Sequence, residues 1–253
     1  RRPELAESIS SEMAELCGPS RAMLIFLQAL CQIEPMPHTG PGRRLSTRQV
    51  ATNEVYVVSE PLGVPSNATE ESKVQEHHYL LHRHRLQLKE HRGTMSEIQG
   101  EMTLAFRVPD EAPKMAETDA EEAETVAAES SEGAYTEFLF CTLPIRCVGF
   151  GFAVHCSHFD PVASRNDLHR GSLANIAIRN ALPEAFREAC MAHNKLSAGA
   201  LTFIGQTPSD SFWRPAREEI LKQLEGIACI ETGLGPLCPH QILLPGDGCW
   251  HKA

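Results

Sequence analysis

The chain has 253 residues, 42% of them hydrophobic and 22% charged, with a formal net charge of −10. That content supports one sizeable core or two small ones. No run approaches the roughly 18 consecutive apolar residues of a bilayer span, and the most apolar stretch, 138–154, is broken by Pro144 and Arg146. No membrane partner is expected.

The charge is unevenly placed. Residues 110–132 carry nine acids against one base, Lys114, so this segment supplies −8 of the −10 and leaves −2 for everything else. The overall acidity therefore does not exclude a nucleic-acid partner. Nine cysteines show no tight pairing pattern, and most sit among apolar neighbours, where a thiol behaves as a small hydrophobe. A reducing compartment is the expectation. The chain begins at Arg1, which is compatible with a removed targeting peptide.

In chain order, residues 3–33 have helical spacing, with Leu5, Ile9, Met13 and Leu16 on one stripe before Gly18-Pro19. Met23, Leu24, Phe26, Leu27 and Leu30 mark a second helix. A Pro/Gly linker reaches residue 42. The period then becomes alternating, and Val55–Val57, 80–88, 102–108 and 138–154 read as strands. Residues 110–134 are too polar and like-charged to form a core and read as a solvated acidic insertion. A short helix is expected over 183–195 with Pro183 in its first turn, a strand over 201–204, and a helix over 217–224 after Pro215. The segments are thus 1–42, N-terminal and helical; 43–208, a mainly β core within an α/β chain; and 209–253, a helix with a Cys/Gly/Pro-rich tail.

Four blocks in order resemble the single-stranded DNA-binding protein family. They are Asn53-Glu-Val-Tyr-Val-Val58 with Leu62-Gly63 and Pro65, Gly100 followed by Phe106 and Val108, Ile145-Arg-Cys-Val-Gly-Phe150-Gly151, and Leu168-His-Arg-Gly-Ser-Leu173. The resemblance implies an OB-fold, a five-stranded β-barrel, over residues 53–182 plus 201–204, with a short helix near 162–168. In that reading Gly171 permits a tight turn into the next strand, and Gly151 lets a strand bend. The family's stacking tryptophans have no counterpart in the barrel, since Trp213 and Trp250 follow it. With its enlarged loops the chain is similar to the OB-fold interaction proteins of the kinetoplastid mitochondrial RNA-editing complex. That likeness implies a mitochondrial matrix subunit that binds single-stranded RNA, or DNA, and other protein subunits, other OB-folds among them, as a scaffold. The alternative is a purely structural protein–protein interaction subunit.

The candidate nucleic-acid site has two parts. Along 77–92, His82, His84, Leu86 and Leu88 share one strand face while Arg83, Arg85, Gln87 and Lys89 share the other. The second set forms a cationic ridge able to follow phosphates, with Tyr79 as a stacking platform. An equally good bland reading makes this a solvated face, or one paired with acids of the same chain. On the barrel face, Arg107 and Arg146 are the cations and Phe150 the stacking aromatic. Phe106, Phe138, Phe140 and Phe152 fit the core better, and Phe138/Phe140 and Phe150/Phe152 should share a face within each pair.

In the tail, Cys229, Cys238, His240, Cys249 and His251 are the weaker candidates for zinc. They lack the close spacings of a zinc finger, so no cofactor is expected and the cysteines are read as packing residues. No phosphate loop, nucleophile elbow or dinucleotide fingerprint occurs, and His155, His158 and Asp160 near Cys156 are too close in sequence to converge as a triad. The chain is read as a binding protein and not an enzyme.

Overall fold

The computed structural model describes residues 23–26, 32–33, 43–61, 74–91, 95–108, 137–204, 210–230, 235, 237–241, 243–245 and 250–252. The acidic insertion and most of segment 1–42 lie outside these residues. The described chain is mixed α/β. Its strands are β1 (Gln32–Ile33), β2 (Arg43–Ala51), β3 (Glu54–Pro61), β4 (Gln75–His91), β5 (Met95–Arg107), β6 (Phe138–Cys141), β7 (Leu143–Cys147) and β8 (Phe152–Cys156). These join one open sheet in the order β1-β2-β3-β4-β5-β8-β6-β7, while β9 (Leu243–Pro245) and β10 (Trp250–Lys252) form a separate pair. The helices are α1 (Met23–Phe26), α2 (Leu173–Ala192), α3 (Asn194–Ala198), α4 (Ala200–Ile204) and α5 (Arg214–Leu224).

From β1 to β5 the sheet is an antiparallel meander, and its long β4–β5 hairpin runs in register from Tyr79↔Arg107 to His91↔Met95. β8 then pairs antiparallel with β5 and parallel with β6, and β6 pairs antiparallel with β7. β6 is therefore inserted between two strands that follow it in sequence. The β6–β7 turn hinges on Thr142, whose φ of 66° lies in the left-handed region. β7, at the sheet's edge, carries Pro144 and Arg146, residues that blunt an edge against further pairing.

Alternation gives the sheet two different faces. One presents Leu80, Leu86, Met102, Leu104, Phe106, Leu139, Phe152 and Val154 to α2 and α4, with α5 packed on α2 behind them. α2 answers with Ile178, Leu182, Phe186 and Ala189, spaced as one helical stripe, and α5 with Ile220 and Leu224. The other face carries Val55, Val57, Tyr79, Leu81, Ala105, Phe140 and Ala153, packed with Phe26 of α1.

Several expectations change. The strands do share one sheet, but it stays open and the described residues form no closed barrel. A small barrel buries its inner face against itself, whereas here one face is buried by helices and the other packs against the N-terminal segment. Residues 201–204 are helical, because a four-residue apolar run does not separate strand from helix by period alone. The helix placed at 183–195 begins ten positions earlier, at Leu173, with buried Pro183 inside it. An interior Pro costs about 3 kcal/mol, and the stripe from Ile178 to Phe186 buries enough to offset that. Leu168–Leu173 consequently turns into a helix and not a strand, and 162–168 is a hairpin loop and not a helix.

Gly151 matters for close approach. A Cβ there would lie 3.1 Å from Phe203 Cα and 3.1 Å from the Thr202 carbonyl oxygen, while its N–H donates to the Phe203 carbonyl at 2.7 Å. Gly171 has nothing within 4 Å of its Cβ position and no left-handed φ, so its turn does not require glycine. Gly151→Ala is therefore expected to cost about 1–3 kcal/mol in urea unfolding, because backbone atoms cannot rotate aside. Gly171→Ala should stay within about 0.5 kcal/mol of the parent.

Candidate functional site

The structure separates the residues expected to bind nucleic acid. Tyr79 is fully buried and its hydroxyl donates to Glu137 Oε1 at 3.3 Å, so it offers no stacking platform. Phe150 is fully buried too, with its ring centroid 5.1 Å from Phe152 and 6.0 Å from Trp213. Both aromatics serve the core. Phe138 and Phe140 share the Tyr79 face, and Phe150 and Phe152 share the helix-covered core, as their even spacing requires.

Arg83 and Arg85 do stand exposed on the β4 face opposite His82 and His84. Arg83 lies 3.9 Å from Glu101 of β5, and the register puts Arg85 directly across from the same Glu101. Lys89 belongs to β4, paired with Glu97. Arg107 is half-buried at the far end of the same hairpin, opposite Tyr79. On β2, Arg44 meets Glu60 at 3.7 Å and Arg48 meets Glu76 at 2.9 Å. The expected ridge is laced with acids across the strands.

Arg146 belongs to a different constellation. Its guanidinium lies 3.1 Å from Asp167 and 3.5 Å from Asp210, and Arg170 reaches the same two carboxylates at 3.6 and 3.4 Å. The Asp210 side chain is only 4% exposed, with these two guanidinium groups beside it. Burial works against the charged form of Asp167, yet the Leu168 amide and the Arg146 guanidinium hold its pKa below the usual carboxylate value. Two cations matched by two anions tie β7, the loop before α2 and the segment before α5 into one clamp.

That loop is built around Asn175, which is fully buried on α2. Its side-chain amide donates to the carbonyls of Asp160 and His169, and its side-chain oxygen accepts from the Asp160 amide, each at 2.9 Å. Bonds from Val162 to the Asp167 carbonyl and from His169 to the Asp160 carbonyl close the hairpin. Arg165 sits at its tip with φ 56°, a conformation costly for a residue with a Cβ. The Arg165 guanidinium donates to the Cys141 carbonyl at 2.9 Å, beside the other left-handed residue, Thr142. The loop is thus pinned at both its base and its tip.

A second polar cluster lies between β4 and α2. His84 Nδ1 is 2.8 Å and His82 Nε2 3.4 Å from one carboxylate oxygen of Glu188. Glu184, paired with Arg187, and His193 complete the charged groups around them. The His84 hydrogen bond leads in holding the Glu188 pKa below its usual value. Burial lowers the His82 pKa, with Glu188 opposing, and burial also lowers that of His155, which stacks on Phe26 at 4.9 Å.

His155 and Cys156 point to opposite faces of β8, and burial pushes the Cys156 thiol up to about 11, so these two do not form a nucleophile and its base. Among the described residues no group of three or more ligating side chains is placed to hold a metal ion. Of the tail's zinc candidates, Cys229 and Cys238 are described as free thiols, His240 and His251 are placed by backbone only, and Cys249 lies outside the described residues. No described helix is long and apolar enough to cross a membrane.

Sequence reasoning missed Asn175, Asp167 and Asp210. A signal existed for Asp210, because an Asp two residues before an apolar pair and a Pro marks a chain turning into a helix. Its side chain accepts from the Phe212 amide at 2.9 Å. Comparison with family models, with curated proteins and with solved structures finds no match in any of the three.

Two outcomes follow from this geometry. Asn175→Ala removes the three hydrogen bonds that a buried side chain makes to the loop backbone and should cost about 2–4 kcal/mol in urea unfolding, with faster amide exchange over 160–169. The histidines give a pH dependence. A folded pKa below the unfolded value of 6.5 contributes stability above that pH, and this is lost as the pH falls through the folded value. Unfolding free energy should therefore drop between about pH 7.5 and about pH 5.5. The drop should shrink in His82→Gln and in His155→Gln, and an identical drop in both variants would remove ring burial as its cause.

Proposed function

We propose that the chain is a protein–protein interaction subunit, a two-faced sheet that holds partners in a larger assembly, and not a single-strand-binding module. The observation that carries this reading is pairwise charge compensation. Arg44, Arg48, Arg83, Arg146 and Arg170 each lie within 4 Å of a carboxylate of this chain. A strand of phosphates would have to displace those acids at every step, and counterion release, the main source of such affinity, would be correspondingly small.

Two further observations support it. The aromatics that would stack bases are in the core, and an open sheet covered on one face offers no barrel groove. Surfaces of mixed, locally balanced charge suit protein partners, where electrostatics select the partner more than they supply affinity. The setting we propose, a mitochondrial matrix assembly, rests on the resemblance to the OB-fold interaction proteins and on no structural feature.

Fluorescence anisotropy with labelled single-stranded RNA and DNA at low salt tests the reading. The expected result is no saturable binding, with Arg83→Ala/Arg85→Ala indistinguishable from the parent. Saturable binding whose log–log salt slope falls by about 0.7 for each arginine removed would overturn it in favour of the nucleic-acid reading.

A further inference from the structure

The C-terminal segment brings two thiols to a position that strand geometry favours for a bond. Ile230 and Leu237 form an antiparallel bridge in which each amide donates to the other's carbonyl, at 3.1 and 2.9 Å. Residues flanking such a doubly bonded pair stand directly opposite one another without hydrogen bonds, with Cα atoms about 4.5 Å apart and side chains on one face. The flanking pair here is Cys229 and Cys238. The bridge is an isolated one, and disulfides span Cα separations of about 4.4–6.8 Å, a range that includes the separation such a flanking pair has in a regular ladder.

The surroundings differ for the two thiols in a useful way. Cys229 is buried, 2% exposed, whereas Cys238 is half-buried. Cys238 is also held in place, because its amide donates to Gln241 Oε1 at 2.9 Å across the 3-10 turn Pro239–Gln241. Gly235, between the two arms in sequence, has a left-handed φ of +107°. Burial, with Cys238 nearby as a second cause, raises the Cys229 pKa. A third thiol, Cys190 of α2, also interacts with Cys229, but burial pushes it up to about 12 and keeps it protonated.

We propose that Cys229 and Cys238 are a redox couple, converted to a cross-strand disulfide by a low-molecular-weight disulfide of the glutathione class. The Cys238 thiolate attacks one sulfur of the reagent and expels the first glutathione thiolate, leaving a mixed disulfide on Cys238. The Cys229 thiolate then attacks the Cys238 sulfur and expels the second. Two cysteines are oxidised, one glutathione disulfide is reduced to two thiols, and the two cysteine protons pass to those thiols. The bond closes the hairpin between the end of α5 and the tail that carries β9 and β10.

The full chain, equilibrated with glutathione disulfide, quenched in acid and alkylated, should be digested with a protease that cuts after Glu. Cleavage at Glu225 and Glu231 puts Cys229 on one peptide and Cys238 on the next, so a disulfide joins two peptides with the loss of two hydrogens. The expected result is that linked pair in the parent and in Cys249→Ser, released by dithiothreitol and absent from Cys238→Ser. Cys249→Ser is the decisive variant, since it leaves Cys238 as the one thiol on the second peptide. Any of three outcomes overturns the proposal: full alkylation of Cys229, a glutathione adduct that persists on Cys238, or a link from Cys229 to Cys190 or Cys249. Circular dichroism matching the parent shows that Cys238→Ser is folded; if it is not, loss of the link in Cys238→Ala decides the same question.

Discussion

The structure depends on the packing of α2 across the middle of the sheet. Phe186 of that helix lies with its ring 5.8 Å from Phe106 and 5.2 Å from Phe152, and Phe203 of α4 closes the cluster 5.3 Å from Phe106. Four aromatic rings from two strands and two helices meet, Phe106 and Phe152 stacked and the helix rings tilted or edge-on to them, arrangements their quadrupoles favour. Each is nearly or fully buried, so each contributes its large apolar surface to the core. Because α2 occupies this place, the sheet has no need to curl upon itself. The loop before the helix, with its Asp and Arg clamp, is positioned by the same contact.

Polar groups are arranged around that contact and not at random over the surface. Asn175 lies one turn into α2 and holds the loop by both ends of its amide. Glu188 lies near the other end and takes two histidines from β4. The helix is thus anchored at both ends by polar bonds and along its length by apolar packing. Hydrogen bonds of this kind add modest net stability but penalise alternative registers heavily, since each would strand a buried partner.

Much of the β architecture was legible in the sequence. A period of two separates His82 and His84 from Arg83 and Arg85 without ambiguity, and the pairing of Phe138 with Phe140 followed from the same rule. The long helix was not legible, because Pro183 reads as a start signal and tertiary burial overrode it. The barrel expectation came from short motifs whose residues turned out to serve other ends, as with Phe150 in the core and Leu168–Leu173 entering α2. The Arg146–Asp210 pair was beyond reach, since nothing local marks two distant charges as neighbours. What local pattern encodes was readable, and what a fold brings together from afar was not.

The insertion of β6 between β8 and β7 has a consequence for how the chain acquires its structure. β5 cannot find its final neighbour until β8 has been synthesised, after the acidic segment, β6 and β7 have all emerged. During that interval the stretch of β5 that β8 will take, Met102–Phe106, is an open edge, with the backbone groups on the side away from β4 unpaired. Such edges recruit other chains, and non-local strand pairings form slowly. The segment that leaves the ribosome directly after this edge is the one carrying nine acids. Like charge tethered beside an open strand opposes its pairing with a second copy, and the nine acids of residues 110–132 follow β5 in sequence both during synthesis and in the finished sheet, where β8 covers Met102–Phe106 and leaves 95–101 beyond its reach.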